Sequence, residues 1–304
     1  MSHSISGVLP VLQTPFDDDD QILKGDLARE IDWVFECGAQ GVCCAMVSEI
    51  LRLTTDERME LHRMVVDLVA GRGLVIASVG AESLKQALSY AYDAAEHGCQ
   101  ALMAIPPTTT ALPEEALATY FRSLAREVPL PLIVQDASSY VGEPLSIEFS
   151  VRLLEEFGPE KILFKPEGNP IGPYLSSLRE ASVGKARMFD GSGGIYLIDA
   201  LRRGVVGTMP AVDLLDVIIA IWNAMKAGDE ETAYQLAGPL GGIVALQLQA
   251  GLDGFLAIEK YLLVKRGLFS SARQREPFAW SLDEETRSEV DRLFDRLMSQ
   301  LSSL

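Results

Sequence analysis

Cysteine and histidine are scarce in this sequence of 304 residues, and their spacing is unlike that of a metal centre. The cysteines form no CxxC pair, and the histidines lie far apart along the chain. These residues are Cys37, Cys43, Cys44, Cys99, His3, His62 and His97. We therefore expect no dedicated zinc site and no cofactor, and we predict that Cys43 and Cys44 are small apolar residues of the core.

Clustered positive charge and long apolar runs are also missing. The formal net charge is -17, and no local group of lysine and arginine offsets it, which argues against binding to nucleic acid or to an anionic membrane. No apolar run reaches the roughly 18 residues that a membrane span needs, and the start MSHSISG lacks the features of a signal peptide. We therefore expect a cytoplasmic protein whose partner is a small molecule.

Short apolar runs recur along the first two thirds of the chain, and segments of helical periodicity separate them. The eight runs cover residues 7–16, 41–46, 74–80, 101–107, 130–136, 162–168, 187–193 and 204–211. Nearly continuous apolar strands that alternate with helices are typical of parallel strands covered by helices. Eight such units predict a (β/α)₈ TIM barrel, and the absence of a GxGxxG motif after the first run argues against a dinucleotide-binding fold.

The pattern changes after residue 212, where four segments of helical period follow with no strand signal between them. We predict a barrel over residues 1–224 and a C-terminal helical extension over residues 225–304, with a surface loop near 267–277. The helical segment IVALQLQAGLDGFLAIEKYLL has more large apolar residues than one buried stripe requires. It predicts further burial against a neighbouring chain or, alternatively, under the helices of the same chain.

The segment ILFKPEGN places Lys165 directly after three large apolar residues. At the carboxyl end of the sixth barrel strand, this lysine lies where barrel enzymes carry their chemistry. Desolvation disfavours the charged amine, and a neutral amine can condense with a ketone to form a Schiff base. The alternative is a lysine that ends a strand and pairs with a carboxylate such as Glu167.

Several ordered motifs resemble those of the dihydrodipicolinate synthase and N-acetylneuraminate lyase family, over essentially the whole length. GVLPVLQTPF resembles the opening of that family, SEILRLTTDER resembles its GExxxLTxxER motif, and GVVGTMPA resembles its GxxGxxS segment. Lys165 falls at the position of the Schiff-base lysine. The resemblance implies that Lys165 forms an imine with a 2-oxo acid and that barrels assemble into a homo-oligomer, either a dimer or a tetramer.

The departures from the family pattern fall in the expected pocket. Met46 and Val47 replace the two hydroxyl residues that bind a pyruvate-like carboxylate, and Gln135 replaces the tyrosine that shuttles protons. Tyr140 aligns with the arginine that dihydrodipicolinate synthases use for their second substrate, and Thr108 with a tyrosine offered across the subunit interface. A glutamine cannot donate and recover a proton at neutral pH. These losses argue against dihydrodipicolinate synthesis and are compatible with another substrate.

Another group must then move protons. Glu167 is the favoured candidate because it lies two residues beyond Lys165, although Pro166 and Gly168 interrupt the strand pattern. The other candidates are Glu49, Asp136, Asp190 and Ser192, and Glu49 matches a family glutamate that more often supports its loop.

The sequence therefore predicts a Schiff-base lyase, aldolase or dehydratase, that acts on a 2-oxo acid or a sugar-acid derivative. Lys165 is the expected nucleophile and Gln135 a substrate-orienting residue. The residues expected to line the pocket are Met46, Val47, Gly191, Ser192 and Met209. The first alternative is a non-catalytic barrel that binds an acidic metabolite, and the second is a metal-dependent aldolase, which the lack of a His/carboxylate cluster disfavours.

Overall fold

The structure, a computed structural model, describes residues 5–138 and 144–304. Eight strands lie in these ranges: β1 Gly7–Val8, β2 Gly41–Cys43, β3 Leu74–Ser78, β4 Ala101–Ala104, β5 Leu132–Gln135, β6 Ile162–Lys165, β7 Phe189–Asp190 and β8 Gly207–Thr208. Each strand falls inside one of the eight apolar runs of the sequence. The runs are longer than the strands because they also include residues that flank the strands.

Helices alternate with these strands and then continue alone. Those of the alternating part are α1 Lys24–Glu36, α2 Thr55–Val69, α3 Leu84–Glu96, α4 Glu114–Glu127, α5 Ile147–Phe157, α6 Ile171–Ala181, α7 Leu197–Arg202 and α8 Leu215–Ala227. After them come α9 Glu230–Leu248, α10 Gly251–Lys265 and α11 Glu284–Leu301. Among the residues described, no helix is both long enough and apolar enough to cross a membrane.

The described residues form two compact units. The first comprises residues 5–7, 54–138, 144–191 and 199–208, and the second comprises residues 8–53, 192–198 and 209–304. This division interleaves along the sequence. The predicted division at residue 224, which falls in the last turn of α8, stays a prediction.

Parallel pairing in chain order characterises the first unit. Strands β3, β4, β5 and β6 pair consecutively, a parallel bridge from Phe164 to Met188 leads on to β7, and β7 pairs with β8. In the second unit, Val11 forms parallel bridges with both Cys43 and Ala211, so the segment after β1 lies between β2 and the segment after β8. This order is that of a (β/α)₈ barrel, and the predicted fold class is confirmed.

The apolar segment 243–263, for which the sequence predicts further burial, lies in α9 and α10. Within the second unit, the buried side chains of this segment include Ile243, Val244, Phe255, Leu256, Ile258, Leu262 and Leu263. The chain therefore covers most of this segment with its own elements, and the segment gives no support to an oligomer. Cys43 and Cys44 are fully buried, as predicted.

His62 on α2 gives the first unit a predicted pH dependence. Neither ring nitrogen has a hydrogen-bond partner in the described part of the chain, and burial, with the nearby positive charge of Arg58, lowers the pKa of His62 to about 3. The unfolded chain binds this proton near pH 6.5, so stability is lost as the pH falls below that value. We expect His62 to lower the free energy of unfolding by about 2 kcal/mol between pH 8 and pH 5.

Denaturant unfolding of the wild type and of His62→Leu at pH 8 and pH 5 checks this expectation. The variant should lose about 2 kcal/mol less than the wild type over that range, because leucine has no proton to bind. Equal losses in the two proteins would show that His62 takes up a proton without unfolding.

Candidate active site

Lys165 ends β6 as the last of four buried residues, Ile162 to Lys165. Strand β5 pairs with β6 in a register that sets Gln135 directly beside Lys165. Because both strands are parallel and both residues close their strands, the two side chains lie at the carboxyl end of the sheet. The amine of Lys165 is buried, which places a potential nucleophile away from bulk water.

A single carboxylate oxygen joins these two side chains. Glu167 Oε1 lies 2.8 Å from Lys165 Nζ, and Gln135 Nε2 donates a hydrogen bond of 2.8 Å to the same oxygen. Lys165 and Glu167 therefore lie side by side, although β6 ends at Lys165 and Pro166 stands between them. The structure brings the three predicted catalytic residues together, although their roles stay predictions.

Asp136 holds the backbone of Glu167 in place. Its Oδ1 accepts a hydrogen bond of 3.0 Å from the backbone N–H of Glu167, and further bonds from the backbone N–H and the Oγ of Ser138 at 3.2 and 3.0 Å. Burial raises the pKa of Asp136, and the charge of Glu167 raises it further. A role for Asp136 as a proton carrier stays a prediction.

Gly191 packs directly against the lysine. A Cβ at this position would lie 2.6 Å from Lys165 Cε, 3.3 Å from Lys165 Nζ and 3.2 Å from Glu167 Oε1. A Cβ at this position would require the end of the Lys165 side chain to shift. Glycine allows the backbone to approach the amine closely without that shift.

Gly191→Ala should therefore move Lys165 away from Glu167 and lower turnover by about 100-fold, because small displacements of reacting groups are costly. Gly25→Ala is the matched control, since its Cβ would meet only Arg29 Nη1 at 3.9 Å. Steady-state kinetics and thermal melting on both variants check the expectation. Full activity in Gly191→Ala would show that the lysine tolerates displacement.

Asp190 and Thr108, also in the first unit, both have hydrogen-bond partners within the protein. Thr208 Oγ1 donates a hydrogen bond of 2.9 Å to Asp190 Oδ2. Thr108 donates through its backbone N–H and its hydroxyl to Glu82 Oε1 at 2.8 and 2.9 Å. Burial raises the pKa of Glu82, but these bonds and those from Thr109 outweigh it and lower the pKa to about 2. Thr108 thus connects the loop after β4 to the loop after β3.

The second unit contains the other predicted pocket residues. Met46 and Val47 lie in a 3₁₀ helix, Met46–Ser48, whose Ser48 Oγ accepts a bond of 3.0 Å from the backbone N–H of Ala45. Met209 is buried, and Ser192 Oγ accepts a bond of 3.1 Å from the backbone N–H of Tyr196. Their role in substrate binding stays a prediction. Tyr140 lies outside the described residues.

Glu49, which follows the 3₁₀ helix, is engaged in a fully buried ion pair with Lys260 of α10. Its second carboxylate oxygen accepts a hydrogen bond of 2.9 Å from the backbone N–H of Arg275. The sequence favoured a supporting role for Glu49, and that role stays a prediction. Sequence reasoning missed Lys260, although a lysine in the otherwise apolar run LAIEKYLL was a signal that could have found it.

The fold and this cluster together define the class of protein: a (β/α)₈ enzyme of the class I lyases, which act through a lysine Schiff base. The chain belongs to the dihydrodipicolinate synthetase family, whose model matches residues 4–297. This membership confirms the predicted activity class, a lyase that acts on a 2-oxo acid or a sugar-acid derivative.

Relatives with known names fall in the same family. The chain is 28% identical over 298 residues to an L-2-keto-3-deoxyarabonate dehydratase of Azospirillum brasilense, covering 96% of this chain and 94% of that protein. It is 29% identical over 243 residues to a 4-hydroxy-tetrahydrodipicolinate synthase of Methanopyrus kandleri, covering 78% and 79%. A dihydrodipicolinate synthase structure from Rhodopseudomonas palustris superposes with a TM-score of 0.86 at 26% identity, covering 97% and 99%.

Proposed function

We propose that this protein is a dehydratase that removes water from a 2-keto-3-deoxy sugar acid bound as an imine to Lys165. The observation that carries the proposal is the position of Glu167 Oε1, 2.8 Å from Lys165 Nζ and 2.8 Å from Gln135 Nε2. A carboxylate stands beside the amine, and a glutamine occupies the family tyrosine position. The similarity to a dehydratase of this substrate class, over nearly the whole of both chains, supports the same reaction.

Imine formation needs a neutral amine. Glu167 lies within hydrogen-bond distance of Lys165 Nζ, so its carboxylate can take the ammonium proton and release the nucleophile. The amine then attacks the 2-keto carbon, and the carbinolamine loses water with a proton returned by Glu167. The protonated imine withdraws electrons from the neighbouring carbon.

Elimination follows from that electron withdrawal. Glu167 takes a proton from the carbon next to the imine, and the hydroxyl on the following carbon leaves with a proton as water. Hydrolysis of the imine then releases the product and restores Lys165. The reaction loses one water and needs neither an oxidant nor a reductant, so Glu167 can carry each proton while Lys165 holds the substrate and Gln135 orients Glu167.

Aldol cleavage makes a different demand, because a base must take the proton from the hydroxyl whose carbon–carbon bond breaks. Gln135 stands at the position of the family tyrosine, and an amide cannot accept that proton at neutral pH. Glu167 is close to Lys165 and therefore to the carbon beside the imine. This difference favours dehydration.

Incubation with L-2-keto-3-deoxyarabonate, followed by mass spectrometry, tests the proposal. We expect a product lighter by one water and no pyruvate. Release of pyruvate and an aldehyde would instead identify an aldolase. Condensation of pyruvate with aspartate semialdehyde, assayed in parallel, should be undetectable, and robust synthesis there would contradict the proposal.

We also propose that the protein works in the cytoplasm as a dimer or tetramer of barrels. The support for the oligomer is the family resemblance alone, because the apolar segment of α9 and α10 is covered by the chain itself. Light scattering checks the assembly. A mass near that of one chain, 33.1 kDa, at micromolar concentration would contradict a stable oligomer.

A further inference from the structure

A cavity of about 310 Å³ lies in the second unit, between α10, α11 and the loop that joins them. The side chains that give it chemical character are Tyr261, Arg273, Glu276, Phe278, Leu282 and Arg287. Its volume is that of a small-molecule site. None of these residues belongs to the cluster around Lys165.

The lining combines two guanidinium groups with an apolar wall. The cavity lining carries two guanidinium groups, those of Arg273 and Arg287, and one carboxylate, that of Glu276. Phe278 supplies apolar surface and exposes 39% of its area, although a phenylalanine usually lies inside. A small organic anion with an apolar body matches both features.

Arg273 and Arg287 already have contacts in the protein, and these contacts leave some of their N–H donors available. Asp20 Oδ1 accepts a bond of 2.8 Å from Arg273 Nε, which is one of the five N–H donors of a guanidinium. The Arg287 guanidinium lies 5.7 Å from the centre of the Tyr261 ring and 3.5 Å from a carboxylate oxygen of Glu284. Two pre-positioned planar guanidinium groups are well suited to bind a carboxylate.

Two backbone bonds connect this lining to the buried ion pair of Glu49. Lys260 Nζ donates a hydrogen bond of 2.7 Å to the carbonyl oxygen of Arg273, and the backbone N–H of Arg275 donates one of 2.9 Å to Glu49 Oε2. Lys260 and Glu49 are themselves paired, and both are buried. A shift in residues 273–275 therefore reaches both members of the pair.

Glu49 directly follows the 3₁₀ helix Met46–Ser48 and adopts a left-handed conformation with a φ of 56°. Such a conformation persists only where the surroundings impose it. The bonds from Lys260 and Arg275 are part of those surroundings. The cavity lining and the loop of Met46 and Val47 are thus connected through specific contacts.

We propose that this cavity is a regulatory site for a small organic carboxylate with an apolar body, and that its occupancy orders the loop of Glu49. The carboxylate pairs with Arg273 and Arg287, and the apolar body contacts Phe278 and Leu282. Binding at this site does not depend on the proposed dehydratase activity.

Isothermal titration calorimetry with benzoate tests the binding, and benzamide is the neutral comparison. Benzoate should bind the wild type at millimolar concentration, and benzamide should not. Arg287→Gln should weaken benzoate binding about tenfold, because it removes a charge-assisted hydrogen bond. Arg292→Gln is the matched control on the same helix, with a side chain 62% exposed outside the cavity, and should bind like the wild type. Equal binding in all three proteins would overturn the proposal.

The same titration on Lys165→Ala separates this cavity from the catalytic cluster. Benzoate affinity should be unchanged there, and its loss would place the benzoate at Lys165 and overturn the proposal. Amide hydrogen exchange then tests whether binding in the cavity affects the loop that contains Glu49. We expect benzoate to slow the exchange of the amides of residues 46–52 at least threefold, and unchanged exchange at saturating benzoate would overturn the regulatory role.

Discussion

Replacing Lys165 by alanine is expected to lower kcat on L-2-keto-3-deoxyarabonate by about 10⁴-fold or more. The variant cannot form the imine, and only the protonated imine withdraws the electrons of the neighbouring carbon. In the structure, this amine is buried and 2.8 Å from the carboxylate that would accept its proton. No neighbouring group in the cluster can form an imine in its place, since the other members are an amide and carboxylates.

Two controls accompany this measurement. Lys165→Arg keeps a positive charge beside Glu167 but cannot form the imine, so it should be as inactive as the alanine variant while retaining more of the ion pair. Lys185→Ala removes an exposed lysine and should leave turnover unchanged. Wild-type turnover in either Lys165 variant would remove the Schiff-base mechanism.

Glu167→Gln is expected to lower kcat by about 10²- to 10⁴-fold with little change in KM, because general acid–base catalysis contributes on that scale. The variant keeps the size of the side chain and loses both its ability to carry the proton and the negative charge beside Lys165. Incorporation of solvent deuterium beside the imine carbon should fall with kcat. Glu180→Gln, whose side chain is 75% exposed, is the matched control and should behave like the wild type.

Gln135→Ala is expected to lower kcat by only about tenfold, because it removes one hydrogen bond that orients Glu167. Gln135→Tyr introduces the tyrosine that the family resemblance implies for this position, and it should either raise imine chemistry with pyruvate or obstruct the larger substrate. Wild-type kinetics in both Gln135→Ala and Glu167→Gln would contradict this division of roles. The proton carrier would then have to be sought among Asp136, Asp190 and Ser192.

The barrel could be predicted because its strands are buried on both faces and therefore appear as unbroken apolar runs. The pairing of Lys165 with Glu167 was one of two alternatives that the sequence left open, because β6 ends at Lys165 and the alternation of side chains along a strand does not extend to Glu167. The helical periodicity of the apolar residues was sufficient to predict the C-terminal helices. These features depend on residues close together in the sequence.

Features that depend on residues far apart could not be predicted in the same way. The bond from Gln135 to Glu167 arises from the register of β5 against β6, which sets Gln135 beside Lys165. The ion pair of Glu49 with Lys260 joins residues 211 positions apart. The large apolar content of α9 and α10 suggested a neighbouring chain, but the packing of these helices within the second unit covers it.

The most direct test of the account is borohydride reduction during turnover of L-2-keto-3-deoxyarabonate, followed by peptide mapping. Borohydride converts an imine into a stable secondary amine, so the account predicts one covalent adduct, on the peptide that contains Lys165. The adduct should be absent from Lys165→Ala. An adduct on another lysine, or turnover to the dehydrated product with no adduct at all, would contradict the central claim that Lys165 carries the reaction.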